Sequence, residues 1–251
     1  MSTRKTPEQI EIMRRAGAVV AEMHEECTRA AVPGASTAAV DRAGREVLAR
    51  RNARSNFLGY HGFPAVICAS PNDVIVHGIP REDVILQEGD ILSIDCGAII
   101  EGWHADAAIT VPIGGVDEES VLLMDVTRGS LEAAIAEMQT GNTLGDVGRA
   151  VQDVAEGAGF TVVREYVGHG IGRAMHEEPQ VPNYAGGPNR RFKLKPGVVL
   201  AIEPMVNAGT PETLTLDDGW TVVTADGRRS AHFEHTIALT ERGPEVLTSP
   251  R

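Results

Sequence analysis

Four carboxylates stand at matching places in and after two similar stretches of this sequence. Residues 86–95 and 194–203 align without gaps, and five of the ten positions match when the two terminal acids are counted as equivalent. Each stretch is a turn leading into a strand pattern, and each precedes a second strand pattern with an acid near its start. Chance similarity is the weaker interpretation, because the acids match twice. The four carboxylates are Asp95, Asp106, Glu203 and Glu234.

If the two stretches are related by pseudo-symmetry, these carboxylates face a common centre. Acids within apolar strands are rarely buried unless they are paired or bind a metal. Four like charges cannot meet unless protons or cations neutralise them. Two divalent cations would balance four carboxylates, so charge favours a two-metal centre over a single ion. Such a centre lowers the pKa of bound water to about 7 and favours hydrolysis.

A neutral ligand is expected to complete the centre, and His169 is the strongest candidate. It lies within the Gly-His-Gly-Ile-Gly run at residues 168–172, where glycines allow backbone and metal to approach closely. For any one of the eight histidines, a structural hydrogen-bonding role is the ordinary expectation. For His77 and His176, the local sequence favours a functional role slightly over a structural one. Carboxylates and imidazole without thiolate suit Mn, Fe, Co or Zn.

Other catalytic motifs do not fit. The His-Glu-Glu-Pro run at residues 176–179 lacks the second histidine of a zinc-protease motif, and its proline would break the helix that the motif requires. The glycines of residues 168–172 lack the spacing of a dinucleotide or phosphate loop. No Gly-x-Ser-x-Gly nucleophile turn is present.

Helices and strands that would position these residues can be predicted along the chain. A helix begins at Thr6-Pro7 with a capping box and stops at Pro33-Gly34, and a second begins at Ser36-Thr37. Further helices are predicted over residues 117–139 and 143–157, and a short strand over residues 65–68. The remainder is strand-like and punctuated by glycine and proline turns. One α+β domain fits this pattern better than two separate domains.

Composition excludes several classes of function. The chain has 251 residues, of which 42% are hydrophobic, so it can bury a sizeable core. A net charge of −12 gives no electrostatic basis for binding DNA or anionic lipid, and 4% aromatic residues provide no base-stacking platform. No apolar run is long enough for a membrane span. Three widely spaced cysteines indicate a reducing cytoplasm.

Seven motifs in family order, from about residue 7 to the C-terminus, resemble a type I methionine aminopeptidase. The motifs occupy residues 72–80, 93–97, 102–106, 168–173, 176–181, 202–207 and 233–236. The sequence is similar to the short bacterial form, because it carries no zinc-finger extension and has no room for the type II helical insert. The resemblance implies the pita-bread fold, with two pseudo-symmetric αβ halves around a central antiparallel sheet. We expect a single metallopeptidase domain over residues 1–251, with halves of about 1–115 and 116–251.

The resemblance also implies a mechanism that removes initiator methionine from new proteins whose second residue is small. Asp95 would chelate one metal ion, Asp106 and Glu234 would bridge two, and His169 and Glu203 would serve the other. A bridging water or hydroxide would attack the scissile carbonyl, with Glu203 as the proton shuttle. His176 would stabilise the oxyanion, and His77 would contact the amide nitrogen. The substrate's free α-amino group would bind a metal, which limits cleavage to the first residue.

A pocket for the methionine side chain can be assigned by the same resemblance. Phe57 stands where many bacterial relatives carry a smaller residue, and Met175 stands where an aromatic is common. The residues assigned to the pocket are Phe57, Tyr60, Phe63, Cys68, His77, Met175, His176 and Trp220. Ordinary core packing is the alternative for these residues. A monovalent-cation site of the family matches Asn72, Val74 and Ser230, although asparagine and serine also commonly serve turns.

Other functions remain open at the level of sequence. A proline-directed peptidase shares the fold, but the intact run at residues 176–179 and the lack of a large N-terminal domain count against it. A non-catalytic peptide- or ribosome-binding relative would usually have lost metal ligands. A metal-dependent phosphoesterase would need basic residues around the site. For the leading prediction we expect a cytoplasmic monomer that meets nascent N-termini at the ribosome and does not bind DNA or membranes.

Overall fold

The computed structural model describes residues 4–249; residues 1–3 and 250–251, at the ends of the predicted domain, lie outside the described part. Within that part the helices are α1 (Pro7–Ala30), α2 (Thr37–Arg50), α3 (Glu118–Ala136) and α4 (Leu144–Gly157). The strands of the first half of the chain are β1 (Arg54–Ser55), β2 (Ile67–Pro71), β3 (Val74–Val76), β4 (Ile91–Ile100) and β5 (Trp103–Pro112). The later strands are β6 (Thr161–Val162), β7 (Gly168–Gly170), β8 (Glu177–Val181), β9 (Val199–Ile202), β10 (Met205–Asn207), β11 (Thr213–Thr215), β12 (Val222–Thr224), β13 (Ser230–His232), β14 (His235–Thr240) and β15 (Gly243–Val246).

Helix α1 begins where the sequence predicts. Gln9 N–H donates to Thr6 Oγ1 at 3.4 Å, and Thr6 N–H donates to Gln9 Oε1 at 3.0 Å, which is the predicted capping box. The helix buries one apolar face and ends before Pro33. Helix α2 begins after Ser36, whose hydroxyl accepts from Ala39 N–H at 3.2 Å.

Predicted boundaries differ from the structure in three segments, among them α4, which begins at Leu144 because Thr143 is its N-cap. Residue 117 lies before α3 and caps it, because the Asp117 carboxylate accepts from Ser120 N–H at 2.7 Å. The predicted end at residue 139 is three residues late, since α3 ends at Ala136. The predicted strand over residues 65–68 is shifted to β2, because the amides of Val66 and Ile67 donate to the Asp41 side chain rather than only to a neighbouring strand.

The central sheet is built from two antiparallel pairs. Strands β4 and β5 form a hairpin with ten paired positions, and β14 pairs with β9 over four positions. The two strand pairs meet where Ala108 and Glu234 exchange backbone hydrogen bonds of 2.8 and 3.3 Å, while Thr236 Oγ1 bonds the backbone of Asp106. A local two-fold axis between β5 and β14 would exchange Asp106 with Glu234 and Ala108 with Thr236. The equivalence that the sequence repeat suggested is therefore present in the strand pairing.

Further strands extend this sheet around the residues predicted for the site. Strand β7 joins the other edge of β9 and in turn pairs with β8, giving the order β15-β14-β9-β7-β8. On the other side, β1 and β2 occupy successive parts of the second edge of β4. Two three-stranded sheets, β13-β10-β6 and β11-β12-β3, complete the strand arrangement among residues 4–249.

The apolar core lies in two main clusters. One, drawn from residues 16–113, packs α1 and α2 against β2, β4 and β5. The other is drawn mainly from residues 123–239 and packs α3 and α4 against β9, β10 and β14. The boundary between halves near residue 115 stays a prediction, and this distribution of the core supports it. Among residues 4–249, no helix is both long and apolar enough to cross a membrane.

Gly17 holds α1 close to the C-terminal part of the chain, and we expect Gly17→Ala to destabilise the protein by about 2 kcal/mol. A Cβ at this position would lie 2.0 Å from the backbone oxygen of Leu247, so helix or chain must move. Gly129 in α3 is the matched control, because a Cβ there meets nothing within 4 Å and alanine favours the helix. Urea denaturation should therefore show a loss for the first variant and no loss for the second; equal stabilities would contradict the close packing.

Candidate metal centre

The five predicted metal ligands are brought together at the junction of the β4–β5 and β9–β14 strand pairs. Asp95 lies in β4 and Asp106 in β5, while Glu203 directly follows β9 and Glu234 directly precedes β14. His169 is the middle residue of β7, opposite Ala201 of β9. All five side chains line one cavity. The strand pairing thus carries acids from both halves to the same place.

Distances within the cluster suit the ligands of a metal ion. One ligand atom from each of Asp106, His169 and Glu234 lies within 4.8 Å of the others, and all three residues are buried. His169 Nε2 lies 3.6 Å from Glu203 Oε1. The carboxyls of Asp95 and Asp106 line the same cavity.

Burial and mutual repulsion change the protonation of these acids. Burial raises the pKa of Asp95 to about 7. Burial first, and then the neighbouring carboxylates, raise the pKa values of Asp106, Glu203 and Glu234 well above their usual range. Without a cation the cluster must therefore hold protons at neutral pH, as like charges in a low-dielectric site require.

Unpartnered oxygens provide an independent test of whether this cluster fits a cation. Asp95 Oδ1, Asp106 Oδ1 and Glu234 Oε1 are buried without a hydrogen-bond partner in the structure. No lysine or arginine is found among the described residues that line the cavity. Buried acceptors facing one another without a donor are suited to divalent cations, and carboxylates with one imidazole match the ligand chemistry of Mn, Fe, Co or Zn.

His169 presents the nitrogen that a metal would need. Its Nδ1 lies 2.9 Å from the carbonyl oxygen of Gly170, so Nδ1 carries the proton and donates, leaving the lone pair on Nε2. Burial lowers the pKa of His169 to about 3, which keeps the ring neutral. The flanking glycines also allow strands to approach closely: a Cβ on Gly168 or Gly170 would lie 2.4 Å from a backbone oxygen of β9 or β8. Close approach of backbone and metal stays a prediction.

An apolar pocket adjoins the carboxylates. The Phe63 ring makes edge contacts with Phe57 at 6.5 Å and with Trp220 at 5.1 Å between centroids. Burial raises the pKa of Cys68, so its thiol stays neutral and acts as an apolar wall. The cavity measures about 150 Å³, an order of magnitude more than the ~10–15 Å³ that holds one water. It therefore has room for a side chain, and all the residues predicted for the pocket line it.

Two further predicted histidines lie between the pocket and the acids. The ring of His176 packs against that of His169 with centroids 4.3 Å apart, and burial lowers its pKa. His77 contacts the rings of Tyr166 and Trp220 at 5.7 and 6.3 Å, and burial lowers its pKa to about 4. His77 also adopts a φ of 60°, a strained conformation for a side-chain-bearing residue that is often retained at functional sites. Both rings are neutral at pH 7.

The residues predicted for a monovalent cation lie away from this cavity. Ser230 N–H donates to the Asn72 carbonyl at 2.9 Å, so these two residues are adjacent, and Val74 begins the neighbouring strand β3. The Asn72 side chain already donates to Asp90 at 2.8 Å and accepts from Ile91 N–H at 3.2 Å. The asparagine therefore has the structural role that the turn alternative describes, and the cation site stays a prediction.

His232 is a residue of the site that sequence reasoning missed. It is 2% exposed, and its Nε2 has no hydrogen-bond partner in the structure and lies 3.8 Å from Glu203 Oε2. Burial lowers its pKa to about 3. Its position two residues before Glu234 is the signal that could have found it, because alternate residues of an extended segment share a side.

Comparisons with known proteins agree with this fold and site. Residues 11–241 match metallopeptidase family M24. Methionine aminopeptidase 1 of Bacillus subtilis (strain 168) is 49% identical over 244 residues, which cover 97% of this chain and 98% of that protein. The crystal structure of methionine aminopeptidase from Thermotoga maritima has a TM-score of 0.96 at 44% identity and covers 99% of this chain and 100% of that one. Prolidase from Pyrococcus furiosus, at 19% identity and a TM-score of 0.80, covers 100% of this chain and 66% of its own, and it supports the fold alone.

The fold and the acidic cluster define a metal-dependent peptidase, and the chain belongs to metallopeptidase family M24. Within that family it groups with the methionine aminopeptidases, so the predicted resemblance, the pita-bread fold and the enzyme class are confirmed. Use of a divalent metal follows from the family.

Proposed function

We propose that this enzyme removes the initiator methionine from nascent polypeptides whose second residue is small. The observation that carries the proposal is one cavity with two unlike walls: four carboxylates and His169 on one side, and an apolar pocket on the other. The first wall suits hydrolysis and the second suits an unbranched apolar side chain. Such a combination selects one kind of residue and places its peptide bond beside the acids.

Two divalent cations fit the charge and the unpartnered oxygens of the cluster. Asp95 would hold one ion, His169 and Glu203 would hold the other, and Asp106 and Glu234 would contact both. Bound ions would supply positive charge for the scissile carbonyl and a water of lowered pKa. The identity of the metal among Co, Mn, Fe and Zn is not fixed by the ligand set.

Glu203 is the residue best placed to move a proton. Its carboxylate lies 3.6 Å from His169 Nε2 at the inner end of the cavity, and burial with nearby acids raises its pKa well above the usual range. A carboxyl group that both accepts and holds a proton near neutral pH can take it from water and deliver it to the leaving amine.

His176 and His77 would act as neutral hydrogen-bonding groups. Burial lowers the pKa of both, so each ring offers one N–H donor and one acceptor at pH 7. We assign His176 to the developing oxyanion and His77 to the amide nitrogen of the scissile bond. Preorganised donors of this kind stabilise charge that develops only in the transition state.

The wider setting of the reaction is also part of the proposal. We assign the substrates to nascent polypeptide N-termini at the ribosome and the enzyme to the cytoplasm as a monomer. A monovalent cation would be held by Asn72, Val74 and Ser230. No DNA or membrane partner is proposed.

A peptide panel tests this function and separates it from its alternatives. We expect release of methionine from Met-Gly-Met, at least about 10-fold slower release from Met-Leu-Met, and no cleavage of Ala-Pro-Met, because the pocket and its mouth select both residues. Chromatography of the products measures each rate after loading with Co, Mn, Fe or Zn. Cleavage of Ala-Pro-Met would favour a proline-directed peptidase. Binding without turnover under every metal would favour a non-catalytic relative.

A further inference from the structure

Tyr60 makes a contact that lining a pocket does not require. Its hydroxyl oxygen lies 2.7 Å from His176 Nδ1, so the two side chains form a hydrogen bond with each other. The two rings are tilted by 48° with centroids 5.4 Å apart. Tyr60 and His176 are 116 residues apart in sequence, so the fold itself brings them together.

Neighbouring rings hold both partners in place. His61 packs edge-on against Tyr60, with centroids 4.4 Å apart, and its φ of 46° marks a tight turn. His169 packs against His176 at 4.3 Å. With each ring confined, the hydroxyl has little freedom to leave Nδ1.

The direction of this hydrogen bond determines which nitrogen of His176 carries its proton. A phenol is a strong donor and a neutral imidazole nitrogen is a strong acceptor, so the favoured arrangement is O–H donating to Nδ1. A neutral imidazole has one N–H, and it must then be on Nε2. Since Nδ1 is taken by Tyr60, Nε2 is the nitrogen left to face the cavity that both residues line.

We propose that Tyr60 is a positioning residue that fixes His176 in the tautomer with the proton on Nε2. The proposal rests on the assignment of His176 to the oxyanion, because only an N–H can donate there. Tyr60 would thus have two functions. Its ring lines the pocket, and its hydroxyl determines which nitrogen of His176 carries the proton. The analogous use of one group to orient a histidine tautomer is widespread at active sites.

The test is Tyr60→Phe, which keeps the aromatic wall and removes only the hydroxyl. Nitrogen-15 NMR of histidine-labelled, metal-free protein distinguishes the tautomers, with the His176 signals assigned by their loss in His176→Ala. We expect the proton on Nε2 in the parent protein and a mixture of tautomers in the variant. With Met-Gly-Met, kcat should fall about 10-fold while KM stays within about twofold. Tyr184→Phe is the matched control, since that ring packs against Arg164 outside the cavity and should change neither measurement.

Any of three results would overturn the proposal. A proton on Nδ1 in the parent protein would mean that His176 donates to Tyr60, and this measurement does not depend on the variant folding. An unchanged tautomer in Tyr60→Phe, or a raised KM with unchanged kcat, would leave Tyr60 as pocket lining only. Failure of the proposed function is distinguishable: the parent protein would then release no methionine, while the NMR result would still decide the tautomer.

Discussion

Glu203→Gln is expected to lower kcat for Met-Gly-Met by about 10³-fold while the protein remains folded. Glutamine has nearly the same shape as glutamate but cannot accept and return a proton. The substitution also removes one of the four crowded acids, whose pKa values burial and then mutual repulsion raise at Glu203 and Glu234. The metal-free variant should therefore be at least as stable as the parent.

Steady-state kinetics and thermal unfolding together check this expectation. Glu156→Gln is a suitable control, because Glu156 is exposed on α4 and pairs loosely with Arg164 at 3.6 Å. It should retain full activity. A Glu203→Gln enzyme that still turns over at the parental rate would remove Glu203 from the mechanism. A variant that is inactive because it has unfolded would show itself in the melting curve.

The second large effect is on stability: metal should stabilise the protein more strongly as pH rises. Burial raises the pKa of Asp95 to about 7 in the folded state, above its usual value near 4. The stabilisation from its bound proton is complete below about pH 4 and is lost as pH rises through about 7. Asp106, Glu203 and Glu234 shift in the same direction.

Buried histidines act in the opposite direction over a lower pH range. Burial lowers the pKa values of His169 and His232 to about 3, and those of His24, His77 and His235 to about 4. Their contribution to stability is lost as pH falls below about 6.5, where the unfolded chain takes up protons. Above pH 6.5 these residues are neutral in both states, so the acidic cluster dominates there. The metal-free protein should lose stability between pH 6.5 and 8.

A divalent cation should remove that loss by replacing the protons. With free metal at 1,000 times its Kd, binding adds about 4 kcal/mol, or about 10 °C in Tm for a chain of this size. Calorimetry with chelator or with metal at pH 6.5, 7 and 8 measures the difference. Asp106→Asn should abolish most of the metal effect, whereas exposed Asp153→Asn should keep it. A metal-induced shift in Tm that is independent of pH would contradict this electrostatic account.

The acids of the site could be located from the sequence because carboxylates are unusual in otherwise apolar strands. Asp95 lies within β4 and Glu203 directly follows β9, both after runs of mainly apolar residues, and the internal repeat pairs them. The strand ladder then brings Asp106 and Glu234 to one junction, as the repeat implied. Fold class was equally accessible, since helix caps and alternating strands follow local rules.

Other features depend on contacts that no local pattern records. The bond from Tyr60 to His176 joins distant segments through a turn with positive φ at Gly59 and His61. The start of β2 depends on the side chain of Asp41, which accepts hydrogen bonds from the amides of Val66, just before the strand, and Ile67, its first residue. These are tertiary effects that override local propensity.

The central proposition is that acids from both halves, together with His169, hold two divalent cations. Anomalous diffraction from crystals grown with manganese tests it most directly, because the scattering locates and counts the ions without reference to activity. We predict two peaks per chain, both within the cluster formed by Asp95, Asp106, His169, Glu203 and Glu234. A single peak, or manganese bound only elsewhere on the protein, would contradict the account.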